Sequence, residues 1–140
     1  MNDKIKHLLK IPDQAGIWNE ATMFVNLALS ISDTMIPVDG EVEYLLNNTN
    51  VNVTVYNGQL DFVITCLGTE KWMSTLKWSN ITNFLNTPRK PLMKTPNPVA
   101  FVRRYDKLSM YWILNSGHEV PADNPYAAEL MLLDIFEGDF

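Results

Sequence analysis

Apolar residues recur at the three- and four-residue spacing of an α-helix in three stretches before residue 77. The first is residues 19–31, where Asn19 is a candidate N-cap. The second begins at Pro37, a residue type that suits the first turn of a helix, and runs to about Leu46. The third is Thr69–Leu76. We therefore expect three helices here.

Three other stretches have the pattern of β-strands. Val51–Tyr56 alternates valine with polar residues, and the turn-forming pair Asn57-Gly58 ends it. Val99–Tyr105 and Leu108–Leu114 are separated by Asp106 and Lys107 alone, which predicts a hairpin. The segment before this hairpin, residues 87–98, contains four prolines and is predicted to be a loop or the edge of a sheet.

The last predicted element is a helix that starts after Pro121. Asp123 is a candidate N-cap, Pro125 suits the first turn, and Gly138 is expected to close the helix. The complete order is helices, a strand, a helix, a hairpin and a helix. This order favours the α/β class and predicts one edge of an α/β sheet.

Composition and charge narrow the possible functions. The net charge of the 140 residues is -5 and the basic residues form no stripe, so we expect no binding to nucleic acid. The sequence has no run of 18 apolar residues, so we predict no membrane span. Two histidines and one cysteine give no metal-ligand spacing and no disulfide framework. We therefore expect neither a metal nor a cofactor.

Three Asn-x-Thr sequons predict N-glycosylation at Asn47, Asn52 and Asn80. Because sequons are used only in the secretory pathway, they favour a lysosomal or extracellular protein. The N-terminal residues do not match a signal peptide, since Lys10 and later polar residues interrupt any apolar core. One resolution of this mismatch is that Met1 is not the start of the original polypeptide.

Two polar residues follow predicted strands, at the positions where catalytic groups collect in α/β sheets. Asp61 lies four residues after the strand that ends near Asn57, and His118 lies four residues after the strand that ends near Leu114. Spacing alone leaves two other interpretations open, a turn-forming aspartate and an ordinary loop histidine. Cys66 is either a thiol nucleophile for His118 or a buried structural cysteine.

The residues around these two positions form a specific pair of motifs. The first reads Val-Thr-Val-Tyr-Asn-Gly-Gln-Leu-Asp and ends at Asp61, and the second reads Asn-Ser-Gly-His-Glu-Val-Pro-Ala-Asp-Asn-Pro and contains His118. Together they resemble the segments that supply the catalytic aspartate and histidine in the serine carboxypeptidase family. Three further segments are similar to the retinoid-inducible branch of that family: Gly68–Trp72, Leu85–Leu92 and Tyr111–Leu114. The similarity covers most of residues 35–136 and is weaker before them.

This resemblance implies a fold, an activity and roles for the two residues. Residues 1–140 would be the C-terminal portion of an α/β-hydrolase domain, with one parallel strand, a β-hairpin and a C-terminal helix. Asp61 would accept a hydrogen bond from Nδ1–H of His118, which would exchange a proton with the serine nucleophile through Nε2. The reaction would release single residues from peptide or protein C-termini through an acyl-enzyme.

Two features depart from the family pattern. The family usually has methionine directly after the histidine, where this sequence has Glu119. Glu119 is predicted either to line the substrate pocket or to face solvent. None of the six serines has glycine two residues before it, so the nucleophile elbow Gly-x-Ser-x-Gly is missing.

The missing elbow leads to two hypotheses about function. In the first, the chain is part of a serine carboxypeptidase, inactive alone, and its partner is the missing N-terminal part of the same enzyme. In the second, it is a non-catalytic module that binds peptides or a parent carboxypeptidase.

Overall fold

The computed structural model describes residues 2–19, 22–34, 36–94 and 96–137, which divide into two compact units, Met1–Pro37 and Val38–Phe140. The first unit contains α1 (Lys4–Leu8), a 3-10 turn (Asp13–Ala15) and α2 (Met23–Ser32). No helix in these described ranges is long and apolar enough to cross a membrane.

The helix predicted over residues 19–31 is present but begins later. Thr22, in an extended conformation with φ -124° and ψ 133°, occupies the N-cap position of α2. The prediction of Asn19 as the N-cap is therefore wrong, and Glu20 and Ala21 lie outside the described residues. Threonine is an accepted residue type at this position, and the apolar spacing alone did not locate the start of the helix.

The second unit is built on a four-stranded sheet with the order β1-β4-β3-β2. Its strands are β1 (Val53–Gly58), β2 (Lys90–Lys94), β3 (Asn97–Tyr105) and β4 (Leu108–Ile113). Its helices are α3 (Asp39–Asn48), α4 (Cys66–Ser74), α5 (Ile81–Asn86), α6 (Val120–Asp123) and α7 (Pro125–Glu137). β1 pairs with β4 in parallel, and the other pairs are antiparallel. The predicted α/β class, parallel strand and hairpin are confirmed.

The proline-rich segment forms the edge of the sheet, which is one of the two alternatives predicted for it. Pro91 lies within β2, and the register of β2 with β3 shifts between Leu92 and Met93. An edge strand tolerates proline because the missing N–H need not serve a second neighbouring strand. α5 was not predicted, because a helix of six residues is too short to show an apolar period.

The start of the C-terminal helix differs from its prediction. Asp123 is the last residue of α6 and is not the N-cap of α7. Asn124 takes that role, because its Oδ1 accepts a hydrogen bond from the amide of Ala127 at 3.2 Å. Gly138, the predicted end of the helix, lies outside the described residues.

The core lies on both faces of the sheet, and every residue of β4 is buried. Because side chains alternate along a strand, β4 supplies both faces. One face buries Leu46, Met73, Leu76, Trp78, Phe84, Leu108, Met110 and Trp112. The other buries Ala100, Tyr111, Ile113, Val120, Ala127, Ala128 and Met131. The aromatic residues Trp78, Trp112 and Tyr111 are therefore part of the core.

Polar contacts fasten helices to β4. On one face, Trp112 Nε1 donates to Glu70 Oε1 at 2.8 Å, and Arg89 binds both carboxylate oxygens of Glu70 at 2.7 Å. On the other face, the hydroxyl of Tyr111 donates to Asp134 Oδ2 at 2.6 Å. α4 and α7 are thus fixed to the strand that precedes His118.

Candidate active site

The parallel pairing of β1 with β4 brings two loops together. Gly58 and Ile113, the last residues of the two strands, are paired, so both strands end at the same edge of the sheet. Beyond them the loops stay joined, because the amide of Gln59 donates to the Ile113 carbonyl and the amide of Leu60 donates to the Ser116 carbonyl, both at 2.8 Å. Asp61 and His118 follow directly on these two loops.

Asp61 is a buried carboxylate with three hydrogen-bond donors. Its side chain is 4% exposed, and its Oδ1 accepts hydrogen bonds from the amides of Val63 at 2.8 Å and Ile64 at 2.9 Å. Its Oδ2 lies 3.0 Å from Nδ1 of His118. The Ile64 amide lowers the pKa of Asp61 most, burial opposes it, and His118 and the Val63 amide lower the pKa further. Asp61 is therefore ionised at neutral pH.

His118 is the half-exposed partner, with 46% of its side chain accessible to solvent. Because an ionised carboxylate only accepts hydrogen bonds, Nδ1 of His118 carries the proton that it shares with Asp61. In the neutral ring, Nε2 is then the nitrogen that can accept a proton. The hydrogen bond from His118 to Asp61 and the charge of Asp61 raise the pKa of His118; burial opposes the rise and Glu119 adds to it.

Asp123 and Asn124 hold the loop of His118, a role that the sequence analysis did not predict. Asp123 Oδ2 accepts a hydrogen bond from the amide of Gly117 at 2.6 Å, and Asn124 Nδ2 donates to the Leu114 carbonyl at 3.0 Å. Both contacts join residues that are six to ten positions apart. No local pattern predicts them, since either side chain fits a helix cap equally well.

A cleft of about 350 Å³ lies beside the pair. It is lined by Val55, Tyr56, Asn57, Gly58, Asp61, Ile64, Thr69, Trp72, His118 and Val120. The amide side chain of Asn57 closes one wall by donating to the Ile64 carbonyl at 2.8 Å. In the described part of the chain, no three His, Cys, Asp or Glu residues are arranged to hold a metal ion. The arrangement is suited to moving a proton between the imidazole and a group in the cleft.

The alternative thiol nucleophile is not supported by the geometry. Cys66 Sγ donates to the Gly58 carbonyl at 3.3 Å, so its hydrogen-bond partner is backbone and not His118. Burial, Glu70 and Asp61 all raise the pKa of the thiol. Because the thiolate is the reactive form, this environment is typical of a structural cysteine.

Glu119 is exposed and immediately precedes α6. Its charge raises the pKa of His118, as expected for a carboxylate next to this ring. The cleft beside the pair is lined by other residues, so the exposed orientation is the alternative that the geometry favours. A role for Glu119 in substrate binding stays a prediction.

The three sequons have different surroundings. Asn47 Nδ2 donates to the carbonyls of Glu43 and Lys77, both at 2.9 Å, and Asn80 Nδ2 donates to Asp106 Oδ2 at 3.0 Å. Asn52 is exposed just before β1. Of the three acceptor asparagines, Asn52 therefore has the side-chain amide with the fewest hydrogen bonds to the described part of the protein.

A parallel strand pair that ends in a buried aspartate and an exposed histidine is the arrangement of an α/β hydrolase. The chain matches the serine carboxypeptidase family over residues 1–138, and it belongs to that family. It is 39% identical over 135 residues to the retinoid-inducible serine carboxypeptidase of Mus musculus. The aligned region covers 94% of this chain and 29% of the relative. It is 39% identical over 137 residues to serine carboxypeptidase-like 51 of Arabidopsis thaliana, with 96% and 29% covered.

A third relative gives the same result. The retinoid-inducible serine carboxypeptidase of Homo sapiens is 41% identical over 128 residues, covering 88% of this chain and 27% of the relative. The predicted family is confirmed. The chain spans less than a third of the length of these relatives.

The Asp61–His118 pair is expected to stabilise the fold only within a pH window. The lowered pKa of Asp61 gives stability that is present above its ordinary pKa of 3.8 and is lost as pH falls through the folded value. The raised pKa of His118 gives stability that is present below its ordinary pKa of 6.5 and is lost as pH rises through the folded value. Asp61→Asn should therefore lower the melting temperature most between about pH 4 and about pH 6.5.

Thermal unfolding of the wild type and of Asp61→Asn, followed from about pH 2 to about pH 9, measures this window. Asp13→Asn, in the first unit, is the matched control and should show no such peak. A deficit for Asp61→Asn that stays constant over the whole range would contradict the prediction.

Proposed function

We propose that the complete protein is a serine-type carboxypeptidase and that Asp61 and His118 are the acid–base part of its Ser–Asp–His triad. The observation that carries this proposal is the 3.0 Å contact between Asp61 Oδ2 and His118 Nδ1. With Nδ1 bound to the carboxylate, Nε2 takes the proton of the serine hydroxyl and later delivers it to the departing amino group. The buried carboxylate stabilises the imidazolium that forms between these two steps.

The nucleophile of this triad lies outside the 140 residues. None of the six serines lies in a Gly-x-Ser-x-Gly elbow. Ser116, the serine nearest to His118 in sequence, is only 1% exposed and inaccessible to a substrate. Because the chain spans 29% of its mouse relative, there is ample room for an elbow elsewhere in the polypeptide. The 140-residue chain alone is therefore inactive in this proposal.

A chimera tests the function. This chain replaces the aligned segment of the mouse relative, and hydrolysis of acyl-dipeptides is measured at acidic pH. We expect the chimera to release C-terminal residues, with kcat lower by about 10⁴-fold in Asp61→Asn and by about 10⁶-fold in His118→Ala, since these changes remove the orienting group and the general base. His7→Ala is the matched control and should retain activity.

The free 140-residue chain is measured in the same assay. We expect no turnover from it and no labelling by a serine-reactive inhibitor. Inhibitor-sensitive turnover by the free chain would show that the nucleophile is present after all. A folded but inactive chimera would favour the second hypothesis, a carboxypeptidase-like binding module.

We further propose that the rest of the enzyme is a partner of this chain and covers β1. In the described ranges of the chain, β4 is the one strand that pairs with β1, so the other side of β1 is a free edge. The loop after Asp61 adds an apolar surface, which we call the Asp loop surface, formed by Leu60, Phe62, Val63, Ile64 and Leu67, all exposed. Free edges and apolar patches of this kind promote pairing with further polypeptide.

The isolated chain is expected to self-associate through the Asp loop surface. Phe62, which is 98% exposed, contributes the largest side chain to it. Phe62→Ser should reduce the apparent mass in light scattering and the binding of an apolar dye, because it removes exposed apolar area. Phe136→Ser, at a phenylalanine of α7 that is 81% exposed, is the matched control. Equal effects of the two changes would argue against a specific role of this surface.

We also propose that the protein passes through the secretory pathway, to a lysosome or to the exterior of the cell. The three sequons support this, and the exposed Asn52 is the acceptor that the folded chain leaves most available. In secreted protein made with an added signal peptide, Asn52→Gln should remove the mass of one glycan, because Asn52 is exposed just before β1. Asn47→Gln should remove less glycan on average, and the opposite order would contradict the proposal.

A further inference from the structure

The loops of Asp61 and His118 touch through their backbones at Gly58. A Cβ atom placed on Gly58 would lie 2.0 Å from the carbonyl oxygen of Gly117, 2.4 Å from that of Ser116 and 2.7 Å from the Ser116 carbonyl carbon. All three are main-chain atoms, so none of them can rotate away as the end of a side chain would. The space beside Gly58 is therefore occupied by the loop of His118.

One hydrogen bond crosses the same contact, and two more hold Gly58 within its own loop. The Leu60 amide donates to the Ser116 carbonyl at 2.8 Å, directly beside the close approach. The carbonyl of Gly58 accepts from the Asp61 amide at 3.2 Å and from the Cys66 thiol at 3.3 Å. The backbone that carries Asp61 is thus held against the backbone that carries His118.

Gly58 is needed here for space and not for an unusual backbone conformation. Among the described glycines, Gly16 is the one with a positive φ, and Gly58 has an angle that other residues adopt readily. An added methyl group would have to separate the two backbones, since carbon and oxygen atoms are in contact at well over 3 Å. The required shift is about 1 Å or more.

We propose that Gly58 is a positioning residue, whose missing side chain allows the two loops to approach closely enough for Asp61 to reach His118. This inference rests on the proposed function, in which that contact serves the reaction. The contact between Asp61 Oδ2 and His118 Nδ1 measures 3.0 Å. A displacement of about 1 Å takes such a pair beyond hydrogen-bond distance, so a methyl group at Gly58 uncouples the carboxylate from the ring.

The test is Gly58→Ala in the 140-residue chain, with the His118 ring followed by NMR over a pH titration. We expect the pKa of His118 to fall toward its ordinary value, by most of the decrease that Asp61→Asn produces, because both changes remove the same partner. Glu119 is unchanged in both variants and keeps its smaller effect on the pKa of His118. A purely structural role of Gly58 would lower the melting temperature without moving this pKa.

Gly40→Ala is the matched control. A Cβ at Gly40 meets no atom within 4 Å, and the residue lies in α3, where alanine is favoured over glycine. The pKa of His118 should not change in this variant. A fall as large as that in Gly58→Ala would overturn the assignment to Gly58.

The outcomes separate this inference from the proposed function. A folded Gly58→Ala chain with an unchanged pKa of His118, while Asp61→Asn still lowers it, overturns the positioning role and leaves the proposed triad intact. If the pKa of His118 is unchanged in Asp61→Asn as well, Asp61 and His118 are not coupled, and both proposals are overturned.

If Gly58→Ala does not fold, hydrogen exchange of the wild type decides. Protection of the Leu60 amide comparable to that of Gln59 supports the locked contact, because both amides donate across the two loops. Fast exchange of the Leu60 amide overturns the locked contact between the two loops.

Discussion

The parallel pairing of β1 with β4 is the constraint on which the site depends. The two strands are paired from Val53 and Leu108 to Gly58 and Ile113 with no shift in register, so both end at one edge of the sheet. β4 is buried on both faces and is fastened to helices on each side, which makes it the fixed element. β1 takes its position from β4, and the loop of Asp61 is thereby aligned with the loop of His118. A slip by one residue would turn Asp61 away from the ring.

The two members of the pair lie in opposite environments, and this difference suits their chemistry. Asp61 is buried, and two backbone amides and His118 compensate the cost of removing its charge from water. His118 is half exposed, so its second nitrogen can exchange a proton with a group in the adjoining cleft. The charge of Glu119 makes a further, smaller contribution to the raised pKa of His118. The carboxylate is therefore the fixed group and the imidazole is the group that titrates.

Much of this fold could be predicted from the sequence, because its elements have local signals. The valine alternation of β1, the two-residue turn of the hairpin and the motifs around Asp61 and His118 are all contained in short segments. α5 was missed because six residues show no period, and Asp123 was assigned to the wrong role because a cap and a loop contact have the same residue type. The contact at Gly58 joins segments 58 residues apart, and no local pattern encodes such a distance.

The geometry that orients Asp61 also determines which residues face outward. The amides of Val63 and Ile64 turn toward Asp61, and the side chains of the same loop are left exposed, with Phe62 the most exposed of them. Burying three such side chains would contribute several kcal/mol, at about 1.5–3 kcal/mol each. A domain of this size is stable by roughly 5–15 kcal/mol, so a covering segment would add a large share of its stability. Orientation of the carboxylate and exposure of the Asp loop surface are then two consequences of one loop conformation.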